Sequence, residues 1–83
     1  MTGRVNFPVV DVKATGERIR QLREARGISV REVQAFLGLD APQAVYAWQC
    51  GKSLPSVDHL IGLSKLFGVP VDGILVLRSQ SIT

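Results

Sequence analysis

The 83-residue chain reads as an all-α domain of five short helices behind an extended N-terminal arm. Three features point there. Apolar residues recur at helical spacing in separate segments. Glycines 27, 38, 51 and 68 each close such a segment, as suits the residue that best accepts a left-handed helix end. Asp11, Ser29, Asp40 and Ser56 each stand just before one, where a short polar side chain caps free N–H groups. Connections of about 2–6 residues then fit a compact bundle.

Residues 1–10, MTGRVNFPVV, form the arm. Gly3 and Pro8 discourage a helix, the residue before Pro8 is biased to extended backbone, and the first few residues are expected to fray. Phe7, Val9 and Val10 are apolar enough to lie against the domain. Helix 1 is expected from Val12 to Arg26, capped by Asp11 or, with a loose first turn, by Thr15; Val12, Gly16, Ile19, Leu22 and Arg26 share a face. Helix 2, residues 30–37, opens with a capping box of Ser29 and Glu32. Its stripe is Val30, Val33 and Leu37, with Phe36 on the shoulder, and Leu39 plugs the turn that follows. Helix 3, residues 41–50, starts after a cap at Asp40, takes Pro42 in its first turn, and turns Val45 and Trp48 inward. Helix 4 follows Ser56, with Val57, Leu60, Ile61, Ser64 and Phe67 at helical spacing and Leu63 near the seam. After the corner at Val69–Pro70, helix 5 is expected from Val71 to about Leu77, using Val71, Ile74, Leu75 and Leu77. The division is an arm at 1–10, one domain at 11–78, and a flexible tail at 79–83.

A chain of this length makes one domain, burying only about 60% of its unfolded surface, with no room for a deep active-site cleft. The composition, 46% hydrophobic and 20% charged, is that of a globular chain. Ten Lys and Arg against seven Asp and Glu give a net charge of +3, which permits a polyanion partner without requiring one. The single cysteine, Cys50, allows no internal disulfide and fits a reducing compartment. With neither an apolar run of signal-peptide length nor one of membrane-span length, the expected location is the cytoplasm. Catalysis has no support: His59 is the lone histidine and reads as a solvent-facing helix residue, and one Cys with one His cannot build a metal site. No cofactor, metal or small-molecule ligand is expected.

The stretch Ser29–Ser56 holds two short helices in tight succession and then a polar turn with a lysine, the layout of a helix-turn-helix. Around it run Ile19-x-x-Leu22-Arg23-x-x-x-Gly27, Leu37-Gly38-Leu39, Val45-x-x-Trp48-x-x-Gly51-Lys52, Leu54-Pro55, and Leu60, Leu63, Phe67-Gly68-Val69. In this order and spacing, from about Gly16 to Val76, the chain resembles the Cro/CI-type (Xre-like) helix-turn-helix transcriptional regulators of bacteria and phages. The resemblance implies a five-helix, lambda-repressor-like DNA-binding domain. It implies sequence-specific binding of double-stranded DNA through the major groove, a transcriptional regulator of repressor type, and room for a homodimer on a two-fold operator. The same fold would serve the antitoxin of a toxin–antitoxin pair, and a protein–protein interaction module without DNA binding is the alternative of another class.

By that resemblance, the base-contacting positions are Gln43, Ala44 and Ala47, with Tyr46 alongside. Gln43 has the donor and acceptor to pair adenine N6 and N7, and an alanine suits a thymine methyl. Lys52 and Ser53 match the family's backbone-contacting loop, Ser29 and Arg31 flank the start of helix 2, whose N–H groups can take a phosphate, and Arg4 and Lys13 could add charge from the arm and its edge. Three departures from the family pattern stand out. One extra residue lies between Gly38 and Val45. Gln49 replaces an acid that the family pairs with the arginine at position 23, so a hydrogen bond from Arg23 to the Gln49 side-chain oxygen is expected as a structural brace, the alternative being an Arg23 freed to reach a phosphate. Val30 replaces a glutamine that braces the phosphate backbone, and Gln34 stands where alanine is common. Residues 40–50 contain no Lys or Arg, which removes guanine reading by arginine and leaves A·T contacts or DNA shape.

Overall fold

The computed structural model describes residues 5–82. The order is β1 (Val5–Val10), α1 (Val12–Ala25), α2 (Val30–Phe36), α3 (Gln43–Gln49), α4 (Val57–Phe67), a 3₁₀ turn (Val71–Gly73) and β2 (Leu77–Ile82). Local signals set most of the boundaries. Asp11 Oδ1 accepts from the Ala14 N–H at 2.9 Å, so Asp11 and not Thr15 caps α1. Ser29 and Glu32 form the reciprocal capping box, with bonds of 3.0 and 2.8 Å, and Ser56 Oγ accepts from the His59 N–H at 3.2 Å. One cap expectation fails. Pro42 occupies the N-cap of α3 in a right-handed helical conformation and no side chain caps that end. The helix therefore begins at Gln43, and Asp40, two residues ahead of the cap position, is exposed.

The core joins all four helices: Ile19 from α1, Val33 from α2, Val45 and Trp48 from α3, Leu60, Leu63 and Phe67 from α4, and Ile74 beyond the 3₁₀ turn. Two close approaches set its geometry. A Cβ on Gly16 would lie 2.0 Å from the Trp48 carbonyl oxygen, so α1 meets α3 backbone to backbone. A Cβ on Gly62 would lie 2.4 Å from Leu37 Cδ2, so that flank of α4 turns toward α2. The rotation corrects the expected face of α4. Leu63 is fully buried, whereas Val57 (71% exposed) and Ile61 (48%) swing outward. His59, expected in solvent, is partly covered, its ring centroid 5.5 Å from that of Trp48.

Among the described residues the fold is predominantly helical, with four helices and not five, and includes a two-stranded antiparallel sheet. The register runs from Val5 opposite Ile82 to Val10 opposite Leu77. Thus β1 pairs with a tail expected to be flexible, and residues 77–82 are strand. A long-range clasp explains the lost fifth helix. The Val76 N–H donates to Thr15 Oγ1 at 2.9 Å, and the Val76 carbonyl accepts the Asp11 N–H at 2.8 Å. These are the backbone groups a continuing helix needs, and here α1 takes them. Ile74 closes the core from its single turn, while Leu77, expected on the apolar face of helix 5, is 56% exposed.

Thr15 is fully buried at this junction. Thr15→Val is expected to cost about 1–3 kcal/mol by stranding the Val76 donor, with Thr15→Ser close to the native chain. Urea unfolding measures the difference, and faster hydrogen exchange at the Val76 amide locates it.

Candidate nucleic-acid interface

With Val45 and Trp48 buried, the opposite side of α3 faces outward. Gln43 is exposed, Tyr46 is 52% exposed, and both line a shallow concavity with Ala47, Cys50 and Lys52. A single turn thus brings three of the four expected base-reading positions to one surface beside a lysine. Ala44 stands apart: it packs against the core and is withdrawn from that surface.

The turn after α3 is built by Gly51, whose φ of +77° lies in the left-handed region. A Cβ there would stand 2.8 Å from Lys13 Cα. The start of α1 therefore abuts the turn and sets Lys13 next to Lys52 and Ser53, all exposed. Arg31 is exposed at the start of α2. Ser29 is committed to the capping box, and Glu32 places a carboxylate at the same helix end. The Ser29 backbone N–H, and secondarily its hydroxyl, hold the Glu32 carboxyl below the ordinary glutamate range. Arg4 lies outside the described residues.

Arg20, Arg23 and Arg26 are engaged within the protein. Arg23 Nε donates to Gln49 Oε1 at 2.9 Å, and its Nη1 donates to the Ile28 carbonyl at 2.9 Å. One guanidinium thereby ties the end of α3 to the α1–α2 turn. Arg26 Nε donates to the Phe67 carbonyl at 2.6 Å, and its guanidinium carbon lies 5.9 Å from the Phe67 ring centroid. Arg20 pairs with Glu17 and Glu24. Gln34 has a role that the sequence marked only as unusual. Its Nε2 donates to the Leu39 carbonyl at 3.3 Å, and the Leu39 N–H donates to the Gln34 carbonyl at 3.0 Å. It braces the lengthened turn from which α3 starts.

Residues 19–74 match the family described as Helix-turn-helix. The chain belongs to that family, in its Cro/CI-type branch. This helix-turn-helix chain is 35% identical over 60 residues to a Pyrococcus furiosus protein classed as a helix-turn-helix-type transcriptional regulatory protein. The match covers 72% of the present chain and 19% of that relative, so the chain spans about a fifth of its length. Among solved structures it resembles the restriction-modification controller protein C.AhdI of Aeromonas hydrophila, with a TM-score of 0.70 and 25% identity over 77% of this chain and 96% of that one. It also resembles the DNA-binding domain of BldD from S. venezulae, with a TM-score of 0.66 and 25% identity over 80% and 97% of the two chains. Among the described residues no helix is long and apolar enough to cross a membrane.

Two outcomes follow from this geometry. Arg23→Ala removes a guanidinium that serves two acceptors and is expected to cost about 1.5–3 kcal/mol of stability, with Arg23→Lys recovering only part because one ammonium cannot span both; thermal and urea unfolding measure it. Because the Glu32 pKa is depressed in the folded chain, its contribution is present above the unfolded glutamate pKa and is lost as pH falls through the folded value. The Tm gap between native chain and Glu32→Gln should therefore be open at neutral pH and close in acid.

Proposed function

We propose that the chain is a transcriptional regulator of repressor type that binds double-stranded DNA sequence-specifically, laying α3 in the major groove. The observation that carries this reading is the α3 surface itself: Gln43 and Tyr46 exposed on one side with the half-buried Ala47 beside them, Val45 and Trp48 anchored on the other, and Lys52 at the rim. In this reading Gln43 pairs an adenine edge, Ala47 meets a thymine methyl, and Tyr46 lies along the groove wall. Lys52, Ser53 and Arg31 hold phosphates, with Lys13 adding charge beside the turn. Ser29 is assigned to capping and Ala44 to packing. The partner is DNA, bound by a homodimer on a two-fold site in the cytoplasm. No catalytic role is assigned.

Selection from a random double-stranded DNA pool tests the reading. A two-fold site containing an A·T pair in each half is expected, and absence of enrichment together with salt-independent binding would overturn it in favour of a protein-binding role. Gln43→Ala should then cost about 1–3 kcal/mol at one base pair of each half-site and relax the preference there. Lys52→Ala should weaken binding evenly across sequences and lower the salt slope by about 1.

A further inference from the structure

The reading end of α3 carries one charge, and it is negative. Between Gly38 and Lys52 the single charged side chain is Asp40. The fold leaves that carboxylate without an internal task. α3 starts at Gln43 behind Pro42, and no side chain caps it. Asp40 is exposed, and among the described residues it forms no ion pair. Its backbone is nevertheless held on both sides. On one side Leu39 packs against the core, and both its N–H and its C=O are bonded to Gln34. The Leu39 N–H donates to the Gln34 carbonyl at 3.0 Å, and Gln34 Nε2 donates to the Leu39 carbonyl at 3.3 Å. On the other side the pyrrolidine ring of Pro42 fixes its φ at −78°. An exposed carboxylate thus stands on a held turn just ahead of the N-terminal end of α3, the end that meets base edges in a helix-turn-helix complex. A turn already ordered lowers the cost of making a contact from it.

We propose that Asp40 is a specificity-determining residue of the DNA complex, accepting from the N4 amino group of a cytosine in the major groove. This rests on the DNA reading above and extends it from an A·T pair to a C·G pair. The chemistry of the carboxylate selects the base. When ionised it can only accept. Guanine presents O6 and N7 and thymine presents O4, all acceptors, which repel it. Adenine offers the N6 donor with the N7 acceptor beside it, whereas cytosine presents its N4 donor with no acceptor of its own in that groove. The phosphates oppose any carboxylate brought to the duplex, so one that meets an acceptor is penalised and one that meets a donor is compensated, which is discrimination by repulsion as much as by attraction. Chain length sets the place of the contact. Asp40 and Gln43 are three residues apart, at most about 11 Å of chain. With base pairs about 3.4 Å apart, the cytosine lies within about three pairs of the A·T pair assigned to Gln43.

Selection from a random double-stranded DNA pool, run in parallel on the native chain and on Asp40→Ala, tests the proposal. The native chain should enrich a cytosine at one position of each half-site, preferred about tenfold over the other bases. In Asp40→Ala that preference should vanish while the A·T pair sensitive to Gln43→Ala stays. Thermal unfolding checks that the variant acts through the contact: Asp40 caps no helix, so Asp40→Ala should keep the native Tm. A lowered Tm would place the carboxylate in the fold and overturn the assignment. So would an identical selected site for both chains, the result for a carboxylate left in solvent. An evenly tighter binding of Asp40→Ala across all sequences would also overturn it, because the carboxylate would then face phosphates and not a base. The two readings fail separately. A selected site indifferent to Asp40→Ala removes the cytosine contact alone, while a pool in which neither chain enriches any sequence removes the DNA reading and the contact with it.

Discussion

The whole arrangement depends on how closely α1 approaches α3. The two backbones meet at Gly16, where a single methyl group would collide with the Trp48 carbonyl. That contact seats Val45 and Trp48 in the core and turns the opposite surface of α3 outward. The rest of the same α1 face extends the grip. Thr15 takes the Val76 backbone at one end, Ile19 enters the core in the middle, and Arg23 holds Gln49 and the Ile28 carbonyl at the other. One helix face thus positions the outer helix, the terminal ribbon and the turn into α2.

This use of α1 shapes the electrostatics of the outer surface. Most of the positive charge lies early in the chain, yet Arg20, Arg23 and Arg26 are engaged by carboxylates, a side-chain amide and backbone carbonyls. The charge next to α3 comes instead from Lys52 and from Lys13, carried there by the close approach at Gly51. In the proposed DNA complex, a recognition helix without cations reads through an amide and small apolar contacts. Its affinity then rests on a few phosphate contacts at the rim, so groove shape and A·T content weigh heavily in its specificity.

The clasp at Val76 carries the second structural consequence. By taking both backbone groups of that residue, Asp11 and Thr15 end the helical path and send the chain back along β1. A single turn with Ile74 is enough to close the core, so the residues beyond it are left to pair with β1.

Much of this was legible in the residues because it is local. The caps at Asp11, Ser29 and Ser56, the glycine stops, and the inward pair Val45 and Trp48 follow from side chains acting within a few positions of themselves. The candidate interface was named through the family resemblance that those residues carry. Packing then divided that set, setting Ala44 against the core and leaving Gln43 and Tyr46 outside. The phase of α4 was not legible, since the contact of Gly62 with Leu37, not its own periodicity, turns Val57 and Ile61 outward. Nor was β2: Leu-Arg-Ser-Gln-Ser-Ile has little alternation, and its partner lies at the other end of the chain. Whether residues 71–77 form a helix was settled by a hydroxyl 61 residues away from the amide it binds. Short-range chemistry therefore wrote the helices and the family into the sequence. The rotation of each helix, the fate of the termini and the outward face of α3 belong to contacts between distant segments, which no local pattern encodes.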